Sequence, residues 1–124
     1  MSRKIRIAIV NSHPIQHFCP QYVSLARYPG TQLKVFFGSA LGLKPYQDDQ
    51  FGGEVSWTNL QLDKFDHEFL NGDQVVDVGA KLDAENLGER LEEFQPDIII
   101  TYGYFQRLQR RATRWAAKKK VKIA

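Results

Sequence analysis

Residues 5–10 read Ile-Arg-Ile-Ala-Ile-Val, which is apolar at nearly every position and rich in β-branched side chains. A run of this kind is typical of a strand that is covered on both faces of a parallel sheet. It predicts the central first strand of an α/β domain. Residues 97–101, Asp-Ile-Ile-Ile-Thr, have the same character and predict the fourth strand.

Other segments alternate between strand and helix patterns around these two runs. Further strands are predicted at 31–38, at 67–70 and from 121 onward, whereas 39–61 is expected to be a long irregular loop. One helix begins near Pro20 and ends at Tyr28-Pro29-Gly30, and a second has Asp83 as its N-cap. The apolar face of the second helix is expected to consist of Leu87, Leu91 and Phe94. The apolar face of the third helix is expected to consist of Phe105, Leu108, Ala112, Trp115 and Ala116.

This alternation predicts an α/β, doubly wound, mainly parallel Rossmann-like sheet with the strand order 3-2-1-4-5. The chain has 124 residues and is 43% hydrophobic, so residues 1–124 are expected to form a single domain. Its apolar runs are far shorter than a membrane span, and no signal-peptide core follows Met1, which predicts a cytoplasmic location. The single cysteine, Cys19, is expected to be a small buried hydrophobe.

Charge is distributed unevenly along the chain. Nine basic and fourteen acidic residues precede Arg107, whereas eight basic residues and no acidic residue follow from Arg107 to the end. One side of the third predicted helix carries Arg107, Arg111, Arg114 and Lys118. This side is either a solvated face or a surface that docks peripherally on an anionic inner membrane, and no specific nucleic acid partner is expected.

In a doubly wound sheet, ligands bind beyond the carboxyl ends of the strands, at the point where the strand order reverses. The segments predicted to meet there are 11–18 and 102–106. The first offers Ser12, His13, Gln16 and His17, whose hydroxyl, imidazole and amide groups suit the binding of sugar hydroxyls. Hydrogen bonding of the histidines to loop backbone is the alternative interpretation.

Segment 11–18 contains no glycine, so it matches neither the dinucleotide fingerprint nor the phosphate loop, and no cofactor is expected. His13 and His17 lack an evident third ligand, and no metal is expected either. Tyr102 and Tyr104 flank Gly103 after the fourth strand, and a tyrosine ring can stack on a sugar ring. These tyrosines could equally cap the core of the sheet.

Five segments in order resemble the N-terminal domain of the group 1 (family 4) glycosyltransferases of the two-domain GT-B fold. They are SHPIQHF at 12–18, VFFGS at 35–39, FGGEVSW at 51–57, HEFL at 67–70 and PDIII at 96–100. The branch that the chain resembles has the Ser-His-Pro loop where other members have two glycines, so contacts made through those glycines cannot be transferred.

The resemblance implies the acceptor-side half of a retaining glycosyltransferase that uses a nucleotide-sugar donor and a glycan or lipid-linked acceptor. In that family a second domain with a Glu-x7-Glu motif holds most of the donor, and residues 1–124 end before such a domain. Negligible activity of these residues alone is therefore expected. Incomplete cover of one sheet edge favours self-association. A non-catalytic carbohydrate-binding or partner-docking module is the alternative function.

Overall fold

A computed structural model of the chain describes residues 4–15, 18–41, 46–48, 53–55, 61–72, 78–103 and 105–124. Among them, the strands are β1 (Ile5–Asn11), β2 (Thr31–Phe37), β3 (Tyr46–Asp48), β4 (Gly53–Val55), β5 (Asp66–Phe69), β6 (Ile98–Thr101) and β7 (Lys122–Ile123). The helices are α1 (Cys19–Arg27), α2 (Leu87–Phe94) and α3 (Arg107–Lys119), with a 3-10 turn at Leu62–Lys64.

Strand β1 lies in the middle of a five-stranded parallel sheet with the order β5-β2-β1-β6-β7. Counted along the chain, the strands of this sheet are in the order 3-2-1-4-5, which confirms the prediction of an α/β Rossmann-like fold. β1 pairs with β2 over its whole length and with β6 from Ile7 to Val10. Both of its edges are therefore occupied by neighbouring strands.

Alternate side chains of β1 enter two separate cores, because successive residues of a strand point to opposite faces. Ile7 and Ile9 pack on the face covered by α1. Ala8 and Val10 pack on the face covered by α2 and α3. The unbroken apolar run in the sequence is thus explained by cover on both faces.

The helix ends follow local sequence signals. Pro20 lies in the first turn of α1, where its missing N–H is not needed, and Gly30 has a φ of 82° in the turn that leads into β2. Cys19 is fully buried, and burial raises the pKa of its thiol. Its role as a small buried hydrophobe is confirmed.

One expectation about the connecting segments is wrong. Residues 39–61 are not wholly irregular, because β3 and β4 pair antiparallel with Tyr46 opposite Val55. Such a pair satisfies backbone hydrogen bonds inside a long connection. The predicted third strand is confirmed as β5, one residue earlier than expected.

Asp83 is not the N-cap of α2. The helix begins at Leu87, and Asp83 instead accepts two hydrogen bonds from the guanidinium of Arg111 at 2.7 and 2.8 Å. The guanidinium gives each carboxylate oxygen of Asp83 a charged donor in a bidentate pair, whereas an N-cap would offer only uncharged backbone N–H donors, which explains the preference. The expected apolar face of α2 is confirmed, since Leu87, Leu91 and Phe94 are buried.

Phe105 does not join the apolar face of α3. Its side chain is 68% exposed, because α3 begins two residues later at Arg107. The polar side chains of Gln106 and Gln109 are buried at the start of the helix instead. The remaining predicted positions, among them Leu108 and Ala112, do pack against the sheet.

None of the helices in the described part of the chain combines the length and the apolar character needed to cross a bilayer. A cytoplasmic location stays a prediction.

We expect Gly38→Ala to lower the free energy of unfolding by about 1–3 kcal/mol, the usual cost of overpacking a core. A Cβ at position 38 would lie 2.8 Å from Leu108 Cδ2 and 3.0 Å from Leu82 Cδ2, and both leucines are buried. Gly88→Ala is the matched control. Within the described residues, a Cβ at position 88 would meet Trp115 alone, at 3.4 Å, which is an ordinary contact distance. The substitution should raise helix stability by about 0.5 kcal/mol. Urea denaturation measures both, and equal effects of the two variants would contradict the close packing at Gly38.

Candidate functional site

The end of β1 is held in place by Asn11, whose side chain is only 3% exposed. Its oxygen Oδ1 accepts a hydrogen bond from the Ser12 N–H at 2.8 Å, and its Nδ2 donates to the Tyr22 hydroxyl at 3.0 Å. The Gly38 N–H donates to the Asn11 carbonyl, and the Ser39 N–H donates to the Ser12 carbonyl at 2.7 Å. The backbone that leaves β1 is therefore held from both α1 and β2.

The loops that follow β1 and β6 meet through aromatic side chains. The rings of Phe18 and Tyr102 stack, with centroids 5.0 Å apart and planes inclined by 18°. The hydroxyls of Tyr22 and Tyr102 are 3.2 Å apart. Tyr102 is 36% exposed, so the stacked pair presents an aromatic surface with a hydroxyl at the carboxyl edge of the sheet, where its parallel strands end.

The hydrogen bonds around Tyr22 favour one direction of donation. Its hydroxyl oxygen accepts from Asn11 Nδ2, so its own proton is best used toward the hydroxyl oxygen of Tyr102. Burial, with the Tyr102 hydrogen bond as the second cause, raises the pKa of Tyr22 far above its usual value and keeps it protonated. In this arrangement the hydroxyl of Tyr102 can donate its proton in a hydrogen bond to a ligand.

His13 lies beside Ser12, whose Oγ is 2.8 Å from the imidazole Nδ1. The ring is half-buried, and desolvation lowers its pKa below 6.5, so that the imidazole is neutral at pH 7. With either tautomer, this hydrogen bond uses Nδ1 and leaves Nε2 for a further partner. The pair can hold a ligand hydroxyl without adding a positive charge.

Among the six predicted site residues, the structure describes Ser12, His13 and Tyr102. All three lie at the carboxyl ends of the neighbouring strands β1 and β6. Gln16, His17 and Tyr104 lie outside the described residues.

Three residues of this arrangement were not predicted from the sequence as parts of a site, namely Asn11, Phe18 and Tyr22. Asn11 had a usable signal, because an amide directly after an apolar strand in a doubly wound sheet falls at the carboxyl edge. Tyr22 sits among the apolar positions of α1 and looks like an ordinary core residue. Its polar role depends on Tyr102, eighty positions away in the chain.

The predicted basic face of α3 divides into two parts. Arg111 is held by the bidentate pair with Asp83, and the hydrogen bond to that carboxylate raises the pKa of Arg111 although partial burial acts to lower it. Arg107, Arg114 and Lys118 are exposed. Docking of these three cations on an anionic membrane surface stays a prediction.

Comparison with protein-family models, with curated proteins and with solved structures finds no match for this chain.

We expect the free energy of unfolding to fall more steeply with decreasing pH in the wild type than in His13→Gln. Because the folded pKa of His13 is below 6.5, the unfolded chain takes up the proton first as the pH falls. The contribution of His13 to the free energy of unfolding is therefore fully present above pH 6.5 and is lost as the pH falls toward the folded pKa of His13.

Urea denaturation between pH 5 and pH 8 measures this difference. The other histidines are present in both proteins, so their contributions cancel. Parallel pH profiles of the two proteins would show that the His13 ring is not desolvated.

Proposed function

We propose that this chain is the acceptor-side domain of a retaining glycosyltransferase, which transfers a sugar from a nucleotide-sugar donor to a glycan or lipid-linked acceptor. The observation that carries the proposal is that the partly exposed Phe18–Tyr102 stack and the Ser12–His13 pair both lie beyond the carboxyl ends of β1 and β6, at the switch point of a Rossmann-like sheet. The five segments that resemble the group 1 glycosyltransferases support it independently.

The chemistry of the described groups suits a sugar. The C–H face of a pyranose stacks on an aromatic ring, and the Tyr102 hydroxyl can donate to a ring substituent. The neutral imidazole of His13 can accept the proton of a sugar hydroxyl or donate to its oxygen through Nε2. A neutral histidine near the acceptor hydroxyl is also suited to serve as a general base during transfer.

The proposal assigns the donor to a second domain, as the resemblance implies. Residues 1–124 by themselves are then expected to bind an acceptor and to turn over a nucleotide sugar negligibly. The roles given to Ser12, His13, Tyr102 and, by sequence position, Gln16, His17 and Tyr104 are substrate binding.

The same groups would also serve a non-catalytic carbohydrate-binding module. The two functions differ in their dependence on a donor. Glycan binding that leads to no transfer when the chain is joined to a donor-binding domain of the resembled family would favour the module.

We expect Tyr102→Ala to weaken glycan binding about tenfold, which corresponds to about 1.4 kcal/mol. The variant removes both the stacked ring and the hydroxyl. Tyr28→Ala is the matched control, because Tyr28 is 65% exposed and follows the far end of α1, where the backbone contacts Thr31 rather than the carboxyl edge. It should leave binding unchanged.

The measurement is a glycan array probed with the labelled chain, followed by calorimetry on the glycans that bind. Equal binding by Tyr102→Ala and the wild type would contradict the assigned site. Absence of binding to every glycan on the array would contradict the proposed function.

A further inference from the structure

A cavity of about 540 Å³ opens beside the end of β5, between the segment that leads into α2 and the first residue of α3. Its polar lining consists of Asn71, Asp83, Glu85, Asn86 and Arg107. None of these residues belongs to the site around Tyr102. The cavity has no role in the function proposed above.

The cavity is nevertheless adjacent to that site along the carboxyl edge. The Asn71 Nδ2 donates to the Gly38 carbonyl at 2.8 Å, and the next residue, Ser39, donates its N–H to the Ser12 carbonyl. A ligand that extends along this edge from Ser12 past the end of β2 would reach the cavity.

The two asparagines of the cavity are oriented by their amide nitrogens. Asn71 Nδ2 donates to the carbonyls of Gly38 and Asp83, which uses both of its hydrogens. Asn86 Nδ2 donates to the Leu70 carbonyl at 3.0 Å. No donor from the described residues is bonded to either amide oxygen, so each can accept from a donor such as a sugar hydroxyl.

Arg107 supplies the positive charge of the cavity. Its backbone N–H is bonded to the Ala80 carbonyl, while its side chain is exposed and forms no ion pair within the described part of the chain. Asp83, one of the two carboxylates in the lining, has both oxygens hydrogen-bonded to Arg111. The planar guanidinium of Arg107 is thus available for a carboxylate or phosphate, which it can bind with two parallel hydrogen bonds.

We propose that this cavity binds a sugar unit that carries a negatively charged substituent, with the anionic group on Arg107 and the hydroxyls on Asn71, Asn86 and Glu85. The inference rests on the proposed function, because it assigns this unit to the acceptor. It adds the substrate class: an acceptor whose sugar bears a carboxylate or a phosphate.

The probes are glucuronic acid, glucose 6-phosphate, glucose and inorganic phosphate, each titrated into the ¹⁵N-labelled chain and followed by amide shifts in two-dimensional NMR spectra. We expect one or both charged sugars to shift the side-chain amides of Asn71 and Asn86. Glucose and inorganic phosphate should bind at least tenfold more weakly. The stronger of the two charged sugars identifies the anionic group as carboxylate or phosphate.

Arg107→Gln should weaken binding of the charged sugar at least tenfold, and Arg107→Lys should weaken it to a smaller extent because the lysine cannot form the bidentate contact. Arg114→Gln is the matched control: it removes the same charge from an exposed position on α3 that does not line the cavity. It should leave binding within twofold of the wild type. Well-dispersed spectra of each variant establish that it is folded.

Equal losses of affinity for the charged sugar in Arg107→Gln and Arg114→Gln would overturn the inference, because they would show that the sugar responds only to the overall positive charge of α3. Inorganic phosphate that binds as tightly as glucose 6-phosphate would overturn the sugar assignment. Absence of shifts at Asn71 and Asn86 with both charged sugars would also overturn it. The glycan array with Tyr102→Ala tests the proposed function separately, so the proposed function and the assignment of the cavity to a charged sugar can each fail without the other.

Discussion

At the end of β1, the side chain and the main-chain carbonyl of one residue, Asn11, connect three parts of the molecule. Asn11 accepts from the Ser12 N–H and donates to the Tyr22 hydroxyl, while its carbonyl accepts from Gly38 at the end of β2. Because Asn11 is buried, each of these hydrogen bonds is needed, since an unpaired polar group at this place would cost about 1–3 kcal/mol. The position of the Ser12–His13 pair and of the Tyr22 hydroxyl, and through it of Tyr102, depends on this residue.

The parallel sheet explains why polar groups collect at one edge. All five strands end on the same side, so the loops after β1, β2, β5 and β6 emerge there together. Gly38 lets α3 approach closely, since Leu108 and Leu82 occupy the space that a side chain would need. The first residue of α3, Arg107, lines the cavity together with Leu70 and Asn71, which follow β5.

Two polar regions result along that edge, and they differ in electrostatics. Beyond the ends of β1 and β6 the described groups are a neutral imidazole, hydroxyls and an aromatic surface, which suit an uncharged part of a ligand. Around Arg107 there is an available guanidinium among acceptor oxygens, because Arg111 neutralises Asp83. A single acceptor with a neutral and an anionic portion would match both regions.

Local sequence patterns were sufficient to predict the strands of the parallel sheet, most helix faces and the strand order, because these depend on periodicity and on the handedness of crossovers. They also placed Ser12, His13 and Tyr102 at the switch point. They could not predict that Asp83 pairs with Arg111 instead of capping α2, or that the hydroxyl of Tyr22 is hydrogen-bonded to that of Tyr102, since these partners are distant in the chain. Only tertiary packing brings such groups within hydrogen-bond distance, and the strength of a buried polar contact depends on that distance and on the exclusion of water.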